Sequence, residues 1–100
     1  MQLEHLSTAT TTISVSWMGE TADVEVRPGA LTRAVLEDLA NTSDPKAVCR
    51  GVMAFVASWD ILDGGERLPV TEEVIARLPV RFVDRILLET YKSVRAEGKA

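Results

Sequence analysis

Apolar and polar positions alternate along this chain with two different periods. Ile13, Val15 and Trp17 interleave with Thr12, Ser14 and Ser16, and after Met18-Gly19-Glu20-Thr21 a second alternation runs through Ala22, Val24 and Val26. A period of two on both sides of a short glycine-containing turn predicts a β-hairpin over 13–26 with one apolar face. An isolated two-stranded hairpin is marginal in water, so that face must cover helices or a partner's sheet. Positions 1–10 show no sustained period and read as a flexible arm.

After the hairpin the period changes. Arg27-Pro28-Gly29 ends the second strand, because proline cannot donate to a ladder and glycine frees the backbone to turn. Leu31, Val35 and Leu39, spaced four apart, predict a helix over 31–39, closed by Asn41-Thr42-Ser43. Asp44 is placed to cap the next helix, with Pro45 where no amide donor is needed. Val48, Val52, Phe55, Val56 and Trp59 form the stripe of that helix, which ends at Trp59.

The period is lost over 60–69, where Asp63-Gly64-Gly65-Glu66 is turn chemistry in a surface loop. Thr71 caps the following helix, Glu72 and Glu73 lie at its positive dipole end, and Val70 and Ile75 have the spacing of a hydrophobic staple. Leu78 precedes Pro79 and is pushed from helical geometry, which separates a last helix over 80–95 with the apolar face Val83, Ile86, Leu87, Tyr91 and Val94. The expectation is a single domain over 1–100 in the α+β class, mainly α. It places an N-terminal β-hairpin before about four helices, with the helical region over 31–95.

Composition bounds the function. A chain of 100 residues with 46% hydrophobic and 26% charged residues has the make-up of one globular core. Its apolar runs are far shorter than the roughly 20 residues that cross a bilayer, and no basic region with an apolar block opens it. A cytoplasmic protein with no membrane partner is expected. The single cysteine, Cys49, cannot form an internal disulfide and falls within an apolar pattern, as a buried reduced thiol would.

The net charge of −4 opposes nucleic acid, and no nucleic-acid partner is expected. Arg77, Arg81, Arg85, Lys92 and Arg95 recur along the last two helices, but Glu89 stands among them at pairing distance from Arg85. Charge is unevenly spread. No lysine or arginine precedes Arg27, whereas Glu4, Glu20, Asp23 and Glu25 do, and from Val80 onward bases outnumber acids. An acidic hairpin and a basic tail could attract each other between subunits, or could be two solvated faces.

Signals of chemistry are thin. His5 lies in the arm, the serines sit in no nucleophile pattern, and Cys49 has no histidine near it in sequence. Asp60, Asp63 and Glu66 lack the alternate spacing of a calcium loop, and Gly64-Gly65 is neither a phosphate loop nor a dinucleotide turn. No catalytic, cofactor-binding or metal-binding residue is expected, and those carboxylates read as turn residues. Binding through shape remains. Trp17 and the hairpin valines, with Phe82 and Leu88 beside the main stripe of the last helix, offer more apolar surface than four short helices readily bury; the surplus points either to a homo-oligomer or to a hairpin that lids its own helices.

Residues 56–94 combine Trp59-Asp60, the Gly64-Gly65 turn, Leu68-Pro69-Val70-Thr71, an acidic capped helix, Leu78-Pro79 and a long amphipathic helix. This order resembles the C-terminal half of the small tail assembly chaperones of long-tailed bacteriophages. The resemblance implies a non-enzymatic protein of the host cell cytoplasm that binds the tape measure protein, keeps it soluble and promotes tail tube assembly. The major tail protein would be a second partner, and the chaperone is not expected in the mature virion. Candidate partner-binding or structural residues are Trp17, Trp59, Phe82, Val83, Ile86 and Leu87. The alternative is a virion structural protein such as a head-to-tail connector or minor tail component.

Overall fold

The computed structural model describes residues 3–98. Strands β1 (Thr11–Trp17) and β2 (Glu20–Val26) pair antiparallel from Thr11↔Val26 to Trp17↔Glu20. Ile13, Val15, Val24 and Val26 are buried, while Thr12, Ser14, Ser16, Thr21 and Asp23 on the other face are exposed. The apolar face therefore covers the chain's own helices, and the outer face is polar.

Met18 and Gly19 close the hairpin with φ of 51° and 86°. Positive φ at both central residues makes a turn whose twist matches the strands, and it favours asparagine followed by glycine. Methionine's Cβ meets the backbone there, at a cost an asparagine offsets. Met18→Asn is expected to raise stability by about 0.5–1 kcal/mol, read as a higher urea midpoint. An unchanged midpoint would mean that the turn carries no such cost.

Residues expected to form a flexible arm are instead helical: α1 spans Leu3–Thr8. Thr8 Oγ1 donates to the Glu4 carbonyl at 2.6 Å, and the Ala9 amide donates to that of His5 at 3.1 Å. Glu4, His5, Leu6 and Thr8 are all exposed, so no apolar stripe marks the helix in the sequence. Positions 1 and 2 of the expected arm lie outside the described residues.

After a 3-10 turn at Pro28–Ala30, α2 (Arg33–Ala40) begins at Thr32, whose Oγ1 accepts the Val35 amide at 3.3 Å. Helix α3 (Pro45–Phe55) starts as its cap signals require, with Asp44 Oδ1 accepting the amides of Lys46 and Ala47. Its end departs from expectation. The helix stops at Phe55, and Val56–Trp59 is strand β3, antiparallel to β2 in a three-stranded sheet of order β1-β2-β3.

The second edge of β2 explains this switch. Arg27 donates its amide to the Phe55 carbonyl, and Asp23 and Asp60 exchange bonds: the Asp60 amide donates to the Asp23 carbonyl at 3.1 Å and Asp23's amide to Asp60 Oδ1 at 2.8 Å. A helix continued to Trp59 would leave that edge unpaired. Val56 and Trp59 are buried either way, so their spacing did not separate the two outcomes. A register shift between Glu25 and Val26 accommodates the junction.

The expected surface loop is a small hairpin, β4 (Leu62–Asp63) and β5 (Glu66–Arg67), turned by Gly64 and Gly65 at φ of 60° and 87°. Both strands are exposed, so they carry no alternation. Trp59 Nε1 donates to the Leu68 carbonyl at 2.9 Å and ties the chain beyond this hairpin to the core. Helix α4 (Glu72–Arg77) is capped by Thr71, and α5 (Val80–Gly98) follows Pro79.

Trp59, Phe55, Ile86 and Val15 are among the largest fully buried side chains. Gly51 lets α2 and α3 meet closely, since a Cβ there would stand 2.7 Å from Leu39 Cγ. Thr90, also fully buried, donates to the Ile86 carbonyl at 2.7 Å, which satisfies its hydroxyl inside its own helix.

Candidate partner-binding surfaces

The six candidate residues separate into core and lining. Trp59 and Ile86 are buried at 2% and 0% exposure and hold the fold together. Val83 and Leu87 line a groove on one side of α5, whereas Phe82 and Trp17 line a cleft on another. The structure does not bring all six to one surface.

The groove has a volume of about 210 Å³. Helix α2 contributes Leu39, α3 Val48 and Cys49, α4 Ile75, and α5 Val83 and Leu87. Its lining also includes the carboxylate of Asp84 and the hydroxyl of Thr42. Four helices meet here, each offering three or fewer apolar side chains, so no periodicity within a single segment marks the groove.

Cys49 is buried in this lining, with Sγ 3.8 Å from the Glu72 carbonyl. Burial, and secondarily the Glu72 carboxylate, push its thiol pKa up. It is therefore protonated at neutral pH, and a small apolar wall rather than an activated nucleophile.

The cleft, of about 460 Å³, is lined by Val15, Trp17 and Ala22 of the hairpin, by Ile61 and Leu62, and by Phe82. Trp17 and Phe82 meet edge to face, with ring centroids 5.9 Å apart at 89°. Glu20 and Asp60 supply carboxylates to the same lining. Asp60 is oriented by the Asp23 amide that it accepts. Met18 and Leu62, 87% and 61% exposed, add apolar surface in the hairpin turn and in the lining.

Helix α5 differs from its sequence pattern in its distal half. Tyr91 and Val94, expected on the buried face, are each 42% exposed, and Leu88 is 51% exposed. Helix α5 is buried through Phe82, Val83, Ile86 and Thr90, and Leu88 and Tyr91 project to the side of that face. Glu89 pairs with Lys92 at 3.1 Å rather than with Arg85. Arg50–Asp38 and Arg77–Asp63, both at 3.4 Å, are likewise exposed pairs, each contributing at most about 1 kcal/mol.

The other groups weighed for chemistry lie apart. His5 is exposed on α1, Asp60 caps the β2–β3 edge, and Asp63 faces Arg77. Among the described residues no three metal-ligating side chains converge, and no helix is long and apolar enough to cross a membrane. Comparison with protein-family models, with curated proteins and with solved structures finds no match to this chain.

Proposed function

We propose that this chain is a tail assembly chaperone of a long-tailed bacteriophage, a non-enzymatic protein of the host cytoplasm that binds the tape measure protein and self-associates. The observation that carries this reading is the groove in which Leu39, Val48, Ile75, Val83 and Leu87 converge from four helices. A channel bounded by helices suits an amphipathic helix, whose apolar residues at every third or fourth position would replace the water above these side chains. Each Å² of apolar surface so covered contributes roughly 25 cal/mol. A long helical protein with exposed stripes would be kept from aggregating until tail subunits polymerise around it.

The order of elements over 56–94 supports the same reading, with the correction that Trp59 closes a strand. The major tail protein is the second proposed partner, and the chaperone leaves before the virion is complete. Co-expression with the tape measure protein tests this: the tape measure protein should move from the pellet to the soluble fraction, and no change would overturn the reading. Mass spectrometry of purified virions then separates an assembly factor, which is absent, from a tail component, which is present.

A further inference from the structure

Strand β1 stands at the edge of its sheet, and the hydrogen-bond pattern fixes which of its residues face outward. On β2 and just after it, Asp23 and Arg27 direct their backbone groups toward β3: the Asp23 carbonyl accepts the Asp60 amide, and the Arg27 amide donates to the Phe55 carbonyl. Alternate residues turn the other way, so Ala22, Val24 and Val26 bond to Val15, Ile13 and Thr11. Thr12, Ser14 and Ser16 therefore point their amides and carbonyls away from β2. All three are exposed, and among the described residues no backbone bond from outside the sheet reaches them.

An open edge of this kind is a template for another strand, and natural sheets blunt it with charge, proline, bulges or short length. β1 has none of these devices. It runs from Thr11 to Trp17 without a charge, a proline or a glycine, and its ladder with β2 has no register shift. The acids of the hairpin all lie on β2, at Glu20, Asp23 and Glu25. At the opposite edge, β3 has only four residues, a register shift in its ladder with β2, and Asp60 directly after it.

We infer that this edge pairs with the same edge of a second copy of this chain, β1 against β1 in antiparallel order about a two-fold axis beside Ser14, joining two three-stranded sheets into one. The strand's own pattern selects that occupant. Full overlap of Thr11–Trp17 with its copy sets Ser14 opposite Ser14 and Thr12 opposite Ser16. These are the outward-facing residues, so each such pair can exchange both backbone bonds. The same overlap sets Ile13 opposite Val15 on the buried face and hydroxyls opposite hydroxyls on the exposed one. No charge meets a like charge, and a slip of one residue would set outward-facing groups against inward-facing ones. Ile13 and Val15 are already buried and α5 already packs on β1, so the pairing adds edge contact rather than a second core. Dissociation is expected on the order of 10 μM.

This pairing rests on the self-association proposed above and not on the identity of the bound partner. One test is light scattering on the full chain from about 1 to about 300 μM, with Ser14→Pro beside the wild type. Proline removes the outward amide of β1 and leaves the ladder to β2, at the loss of an exposed hydroxyl bond to Asp23. It should weaken association by about tenfold or more, with circular dichroism checking the fold. The second test is disulfide cross-linking under mild oxidation, with the wild type, whose Cys49 is buried, as control. Ser14→Cys should link readily, because residue 14 faces its own copy at about 5.5 Å between Cα atoms. Thr12→Cys should link only when mixed with Ser16→Cys, since its own copy lies about 13 Å along the partner strand. Association as tight in Ser14→Pro as in the wild type, or Ser14→Cys linking no faster than Thr12→Cys alone, overturns this pairing and leaves self-association in place. If the proline variant loses the fold, the cross-linking comparison decides. A wild-type chain that stays monomeric over the whole range overturns both, and the co-expression result then stands by itself.

Discussion

Trp59→Ala is expected to remove about 3–5 kcal/mol of folding free energy, the range for deleting a large buried aromatic side chain. The indole is 2% exposed and lies in the core with Phe55, Val24 and Ile86. Its Nε1–H also satisfies the Leu68 carbonyl at 2.9 Å, so the substitution opens a cavity and releases a hydrogen bond together. Against a total stability of about 5–15 kcal/mol for a domain of this kind, that leaves a chain near its unfolding threshold. Urea denaturation would show it as a lower midpoint with an unchanged slope. Trp59→Phe should fall between the two, since it keeps most of the packing and loses the bond. A loss below about 1 kcal/mol for the alanine variant, the size of an ordinary surface change, would contradict the central place given to this residue.

The second large effect is on partner capture. Leu87→Asp is expected to abolish solubilisation of the tape measure protein while the variant itself remains folded. Leu87 is half-buried and lines the groove, so an aspartate there reaches water but sets a charge where the proposed partner helix would lie. Asp84, one turn earlier, lines the same groove and would compound the effect as a like charge. Leu62→Asp, in the separate cleft, should leave capture intact. The measurement is the soluble fraction of the tape measure protein on co-expression with each variant. Equal solubilisation by the Leu87 variant and the wild type would remove the groove from the mechanism.

Local signals in the sequence were reliable where the structure depends on local chemistry. Thr71 and Asp44 cap the helices they were expected to cap, Pro79 divides α4 from α5, and Ile13, Val15, Val24 and Val26 form the buried side of the hairpin. Features set by distant partners were not legible. Spacing alone made Val52, Phe55, Val56 and Trp59 one helical stripe, because the need to pair β2's second edge is a tertiary fact. Helix α1 has no buried side chain among those described, and β4 and β5 are wholly exposed, so none of the three leaves a period to read.

The candidate surfaces follow the same division. Val83, Leu87 and Phe82 could be named from the face of one helix, but Leu39, Val48 and Ile75 join them only through packing. Tyr91 and Val94 kept the apolar spacing of α5, yet the buried face runs through Ile86 and Thr90 and leaves both of them 42% exposed. Periodicity records which residues share a face, and it does not record how wide the opposing surface is.

The passage from α3 into β3 with no residue between them sets where this chain tolerates a change of length. One residue added between Phe55 and Val56 would move β3 by one place against β2, and with a side-chain period of two it would turn Val56 and Trp59 away from the core. The turn at Gly64 and Gly65 has exposed strands on both sides and space around its backbone, so residues added there extend into solvent at little cost. Insertions and deletions in this fold are thus confined by the geometry of a single peptide junction.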